Sequence, residues 1–125
     1  MNWDRDAILK QIELDPLKAL EDYDLEGPAW KNDLLSIPTH MHAGFVRYYL
    51  LGIPPGTFLT AVLKNDFRTA VLSADNVNRD YLREWGLLLF NMPYVALDMN
   101  FWVRRGGYIG MEETDDGPVG NDDPA

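Results

Sequence analysis

The only two histidines of the chain, His40 and His42, are its best candidates for acid–base or metal chemistry near neutral pH. A spacing of two puts both rings on one face only in a strand, and at a helix start they diverge by about 200°. No acid follows within ten residues, so a metal site would need ligands as distant as Asp66 or Asp75. We therefore predict no metal site, with one histidine packed near a helix start and the other exposed.

Hydroxyl and carboxylate side chains are present, but no pattern assembles them for catalysis. Nucleophilic catalysis needs a base and an orienting carboxylate around the nucleophile, and no Ser or Thr here stands in such a context. Asp80 and Glu84 alternate with Arg79 and Arg83, which is typical of a solvent-exposed helix face with ion pairs. The sequence predicts no catalytic residues, no cofactor and no enzymatic activity.

The segment Gly-Ile-Pro-Pro-Gly at residues 52–56 has the glycines of a phosphate loop without its chemistry. It lacks the Lys-Ser/Thr ending, and Pro54 and Pro55 have no amide hydrogen to offer an anion. We predict a rigid elbow that sets the angle between two helices. A rigid elbow is also a candidate recognition surface, because it would lose little conformational entropy on binding.

The pair Phe101-Trp102, followed by Arg104 and Arg105, combines aromatic rings with positive charge. Such a cluster can stack nucleic-acid bases, but two arginines in a chain of net charge −9 are weak support for that interpretation. Aromatic residues with arginine are equally typical of a protein–protein hot spot. We predict that Phe101 and Trp102 contact a protein partner.

Length and charge set the class of protein. A chain of 125 residues, 46% hydrophobic, can form one domain, and the lack of cysteine excludes thiol catalysis, Cys-bound metals and disulfides. Residues 1–30 carry eight acids and three bases, and residues 112–125 carry six acids and no base. Acidic ends disfavour direct nucleic-acid binding and suit a protein partner with a basic surface. No apolar run is long enough to cross a membrane.

The expected fold is mainly α, a single small domain of four to five short helices with a possible C-terminal β-hairpin. Residues 1–30 form an acidic helical segment that breaks at Asp15-Pro16, and residues 37–91 form the helical core. Residues 93–111 form an irregular or hairpin segment, because they are rich in β-formers around a Gly-Gly turn signal. Residues 1–111 make the globular domain, and residues 112–125 are expected to be a disordered acidic tail.

Within the core, the sequence marks several helix ends. Gly52 is a natural left-handed terminator, and Asp66 is positioned to cap the helix that follows it. Asp75 or Asn76 starts what we expect to be the longest helix, running to about Phe90. Its predicted buried stripe is Val77, Tyr81, Trp85 and Leu88 or Leu89.

The helical core carries a distinctive sequence motif. It reads His-Met-x-x-Gly from His40, Arg-Tyr at 47–48, Gly-Ile-Pro-Pro-Gly-x-Phe-Leu-Thr-Ala-Val-Leu-x-Asn-Asp from Gly52, then Ala74-Asp75 and Asn78-Arg79. Over about residues 37–91 this pattern resembles small proteins encoded by tailed bacteriophages and prophages. The chain departs from it in residues 94–111 and in its first 30 residues. The resemblance implies a phage gene acting in the cytoplasm of an infected bacterium, and it implies no mechanism.

We therefore expect a phage-encoded, non-enzymatic accessory protein that binds a host or phage protein and inhibits a host process or a bacterial defence system. One alternative is a small-ligand protein that captures a nucleotide signal around His40, Arg47, Tyr48 and the elbow. Another is a virion or assembly component, and the oligomeric state stays open. The candidate binding residues are Asp4, Asp6, Glu13, His40, His42, Arg47, Tyr48, Pro54, Pro55, Phe101 and Trp102.

Overall fold

The computed structural model describes residues 3–24 and 27–115, and every regular element in these two ranges is a helix. This confirms the mainly α prediction, but the helices are shorter and more numerous than the four or five expected. They are α1 (Arg5–Leu14), α2 (Pro16–Tyr23), α3 (Lys31–Leu35), a 3-10 helix (Thr39–Met41), α4 (His42–Leu51), α5 (Thr57–Leu63), α6 (Phe67–Ser73), α7 (Asn76–Arg79), α8 (Leu82–Asn91), α9 (Tyr94–Leu97), α10 (Met99–Arg105) and α11 (Gly107–Asp115).

Aspartate caps divide the chain into these short helices. A side-chain oxygen of each cap accepts a hydrogen bond from the backbone N–H three residues later, which satisfies one of the unpaired donors at a helix start. The capping residues are Asp4, Asp15, Asp66, Asp75 and Asp98. The predicted break at residues 15–16 is confirmed, since Asp15 ends α1 and caps α2 with proline in the first turn.

Helix α4 is the centre of the fold and packs against α1, α2 and α11. Phe45, Val46, Tyr48 and Leu50 are fully buried along it, so little of its circumference meets solvent. Trp30, from the start of α3, places its ring edge-on against Phe45, with centroids 5.6 Å apart. Helix α5 packs on α6 and α8, and the elbow joins this second group of helices to α4.

The expected hairpin at residues 93–111 is wrong, because this segment forms α9, α10 and the first part of α11. Burial against α4 overrides its β propensity: Trp102 and Ile109 are almost wholly buried. The Trp102 indole Nε1 donates hydrogen bonds to the carbonyls of Tyr48 and Tyr49, at 3.1 and 3.0 Å. The segment is therefore part of the core, and not an addition to it.

The predicted left-handed end of α4 at Gly52 is confirmed, with φ of 69°, and it meets the junction of α10 and α11. A Cβ added to Gly52 would lie 2.6 Å from the Gly107 nitrogen, so the two backbones touch. Arg5 Nη2 donates to the carbonyls of Leu51 and Gly106, at 2.6 and 3.1 Å. One arginine thus ties the N-terminal helix to both sides of this contact.

The single long helix expected from Asp75 to Phe90 is wrong, because the chain leaves the helix at Asp80 and Tyr81 between α7 and α8. The two helices do not share a register, so the predicted stripe fails in its first half. Val77 and Tyr81 are exposed, whereas Trp85 and Leu88 are buried as predicted. Asp75 does cap the first of the two helices.

At the C-terminus, α11 continues to Asp115, beyond the predicted domain end at Met111. The rest of the predicted acidic tail, residues 116–125, lies outside the described residues. Of the helices in the described ranges, none has the length and apolar character that a bilayer crossing requires.

Candidate functional site

A cleft of about 420 Å³ lies where the 3-10 helix and the start of α4 face the elbow, the end of α6 and the start of α7. We call it the polar cleft. It brings together four of the predicted binding residues and two others, which are His40, Arg47, Pro54, Pro55, Asp75 and Asn78. Most of the motif that carries the phage resemblance therefore folds into one site.

Two ion pairs stand in and beside the polar cleft. His40 Nε2 lies 3.1 Å from Asp75 Oδ2, and Arg47 Nη1 donates to Glu13 Oε2 at 2.7 Å. The backbone N–H of Asn78, and then His40, hold the pKa of the Asp75 carboxyl below its usual range. Asp75 is therefore a carboxylate at neutral pH, and both His40 and Arg47 have an acid beside them.

Asn78 is the buried polar residue of the cleft, with 2% of its surface exposed. Its Oδ1 accepts a hydrogen bond from Trp85 Nε1 at 3.1 Å. An indole nitrogen can only donate, so this bond fixes the orientation of the carboxamide. Within the part of the chain that the structure describes, no acceptor is found for the Asn78 Nδ2 group.

The elbow forms an apolar wall of the polar cleft. It runs from Gly52 to Gly56, the N-terminal flank of α5, and the Thr60 hydroxyl donates to the Pro55 carbonyl at 3.2 Å. Pro54 is exposed and Pro55 is half-buried. The elbow connects two helices, as predicted, and it also lines a site.

Two of the predicted binding residues are buried away from this site. His42 is buried, with Nε2 3.2 Å from the Ile37 carbonyl, while His40 is exposed, so the predicted division between the histidines is confirmed. Tyr48 is fully buried and its hydroxyl donates to the Ala96 carbonyl. Burial raises the pKa of Tyr48 above its usual range. His42 and Tyr48 are therefore wrong as contact residues, because the core covers them.

The predicted aromatic hot spot fails for the same reason in its second residue. Trp102 is buried, because its ring packs beside Tyr49 with centroids 5.7 Å apart. Phe101 is half-buried, and the guanidinium carbons of Arg104 and Arg105 lie 5.7 and 5.5 Å from its ring centroid. These cation–π contacts keep the arginines on their own helix.

The predicted acidic surface is partly engaged in the fold. Asp4 and Asp6 are exposed, and Asp4 also caps α1. Glu13 pairs with Arg47 at the polar cleft. Asp24, which belongs to the acidic segment 1–30, is buried and accepts a hydrogen bond from the Tyr49 hydroxyl at 3.0 Å.

A second surface, which the sequence did not indicate, lies at the end of α8. Phe90 and Tyr94 are 83% and 90% exposed and line a cleft of about 540 Å³. Leu63, Leu89 and Leu97 line the same cleft, and Lys64 and Asn65 are its polar residues. We call this surface the apolar face. Gly86 and Leu89 continue it into a smaller groove between α6 and α8, where Phe67 is also exposed.

Asp75 and Asn78 are two polar cleft residues that the sequence interpretation did not select as binding residues. Both lie in the motif blocks that carry the resemblance, which was the available signal. In the described part of the chain, no three His, Asp or Glu side chains are grouped as metal ligands. Comparison of the chain with protein-family models, curated proteins and solved structures finds no match. The phage resemblance therefore stays a prediction.

Proposed function

We propose that this chain is a phage-encoded, non-enzymatic accessory protein that binds a protein target through the apolar face. The observation that carries the proposal is the exposure of Phe90 and Tyr94 beside a cleft whose lining includes three leucines. Aromatic side chains in such a setting are characteristic of binding hot spots, because they bury a large area on association. The target is a bacterial protein of a host process or a defence system.

The shape of the apolar face favours one kind of contact. Phe90 and Tyr94 line a depression together with Leu63, Leu89 and Leu97, and Lys64 and Asn65 also border it. An apolar side chain of the partner can therefore contact the rings and the leucines at once. A helix that presents one apolar stripe would make this contact. Folding of this chain does not need the two aromatic rings, because most of each side chain contacts no other part of it.

The test is capture of bacterial proteins from a lysate on the immobilised full chain. The test variant carries Phe90→Ala with Tyr94→Ala, and the matched control carries Leu14→Ala, which removes an equally exposed apolar side chain from the end of α1. The proposal expects a protein that wild type and control retain and that the double variant loses. Equal capture by all three chains, or no captured protein, would contradict it.

A further inference from the structure

Among the described residues, the side-chain amide of Asn78 is the strongest sign of a ligand site, because it lines the polar cleft. Trp85 fixes its oxygen, and among the described residues nothing accepts a hydrogen bond from its nitrogen. Asn78 lines the polar cleft although only 2% of the residue is exposed. Its amide nitrogen is therefore held in one orientation by the bond to Trp85 and is available to an acceptor atom that enters the cleft.

Asp75 supplies the complementary group. It precedes Asn78 by three residues at the start of α7, and both side chains line the cleft. Asp75 Oδ1 accepts from the Asn78 backbone N–H at 2.6 Å, and Oδ2 faces His40. A carboxylate oxygen has two acceptor directions, so each can take a further hydrogen bond. The cleft thus offers both a donor and an acceptor, from two residues three positions apart at the start of α7.

The other residues of the cleft and its charge balance limit the chemical class of the ligand. Met41, Ile53 and Pro54 are apolar cleft residues, and the two prolines of the elbow present no amide hydrogen. Arg47 already has Glu13 as its ion-pair partner, and Asp75 has His40, so the polar cleft presents no unpaired charge from these four residues. A neutral, flat heterocycle with adjacent donor and acceptor atoms fits these walls better than a compact ion, and about 420 Å³ is enough for it.

We infer that the polar cleft binds the base of a nucleoside or nucleotide. Asn78 Nδ2 donates to a ring nitrogen or carbonyl oxygen of the base, and Asp75 accepts from a neighbouring N–H. The elbow and Met41 cover a face of the ring. This site is separate from the apolar face, so the inference does not depend on the proposed protein target.

The experiment is calorimetric titration of the full chain with the four ribonucleosides, their 5′-monophosphates and inorganic phosphate. Binding of at least one nucleoside or nucleotide is expected. Similar affinity for a nucleoside and its monophosphate would show that the base supplies the contacts, and tighter binding of the monophosphate would show that its phosphate adds a contact. Binding of phosphate without binding of any nucleoside or nucleotide would overturn the inference, and so would no binding at all.

Two aspartate variants form a matched pair for this titration. Asp75→Asn and Asp66→Asn both preserve an N-cap, since asparagine caps as well as aspartate, but only Asp75 lies in the polar cleft. Asp75→Asn should weaken binding by about ten- to hundredfold, the size expected for a lost hydrogen bond to a charged group. Asp66→Asn should stay within about twofold of wild type. Equal weakening by both variants would overturn the inference.

A third variant tests the donor. Asn78→Asp keeps the oxygen that accepts from Trp85 and replaces the amide donor, so ligand binding should be lost while the helical circular-dichroism signal persists. If this variant does not fold, the aspartate pair still decides the question. Retained binding in a folded Asn78→Asp chain would exclude the amide as a contact.

Discussion

The polar cleft and the apolar face differ in how their side chains are held. In the cleft, Trp85 fixes Asn78, Asp75 pairs with His40, and Glu13 pairs with Arg47. On the apolar face, Phe90 and Tyr94 extend into solvent. A cleft residue therefore contributes to stability as well as to any ligand contact, whereas a face residue can be removed with little effect on the fold.

The largest expected effect is the difference in unfolding free energy lost when a residue of each surface is replaced by alanine. Asn78→Ala leaves the Trp85 indole N–H without its acceptor in a buried site and should cost about 1–3 kcal/mol of unfolding free energy. Phe90→Ala removes an exposed side chain and should change that free energy by less than about 0.5 kcal/mol. Urea unfolding of both variants measures the contrast, and equal losses would remove the distinction.

The next effect concerns Gly86, which connects the two grooves of the apolar face. It stands inside α8, and a Cβ added there would meet nothing within 4 Å. Gly86→Ala should therefore raise the unfolding free energy by up to about 1 kcal/mol, the difference in helix propensity. The added methyl group should weaken target binding, because it occupies space in the grooves that Gly86 lines. A variant that is less stable than wild type would show a packing role that the structure does not contain.

Substitution of the elbow prolines, on the side of the polar cleft, should change the unfolding free energy by a similar or smaller amount. Pro54→Ala and Pro55→Ala should each cost about 0.4–1 kcal/mol, because each proline restricts the unfolded chain. Binding of a nucleoside should weaken in both variants, since both rings line the polar cleft. Binding of the protein target should not change. Loss of target binding at wild-type stability would instead make the elbow a protein contact surface.

Parts of this fold were predictable from the sequence because they depend on local chemistry. The Asp15-Pro16 break, the Asp66 and Asp75 caps and the left-handed Gly52 each follow from backbone preferences. The hairpin prediction was wrong because it was based on β-forming residues and a Gly-Gly pair and did not consider Asp98 as a helix cap. That residue caps α10 and was a helix-start signal in the sequence.

The two surfaces were predictable to different degrees. Part of the polar cleft could be predicted from the sequence, because many of its residues belong to one motif. The burial of Tyr48 and Trp102 could not be predicted, because it depends on the packing of α10 and α11 against α4. The apolar face could not be predicted from the sequence. Which side of α8 is exposed depends on its register, and the break at residues 80–81 resets that register.

Acid titration should affect the cleft through Asp75. Its pKa is lowered in the folded chain, so its contribution to stability is present above about pH 3.9, the unfolded value, and is lost as the pH falls through the folded pKa. The stability difference between wild type and Asp75→Asn should therefore shrink as the pH falls below about 4. Urea midpoints measured at several pH values provide the check, and a difference that grows on acidification would contradict it.

The smallest expected effect is on association rate. Asp4 and Asp6 are exposed, and complementary charge outside a contact surface mainly speeds encounter with a basic partner. Asp4→Asn with Asp6→Asn keeps the α1 cap and should slow target association several-fold at low salt, and much less in about 0.5 M salt. Glu13 is left unchanged because it pairs with Arg47. Surface-plasmon kinetics at the two salt concentrations measure the rate, and an unchanged rate would leave these acids without a role in encounter.

The most direct test of the central claim, that the apolar face is the protein-binding surface, is the equilibrium dissociation constant of the captured target for three chains. These are wild type, the variant with Phe90→Ala and Tyr94→Ala, and the Asp75→Asn variant. Loss of two hot-spot aromatics should weaken binding by about thirtyfold or more, while Asp75→Asn should leave it within about twofold. Weakening by Asp75→Asn, with normal binding by the double variant, would place the target on the polar cleft and contradict the account.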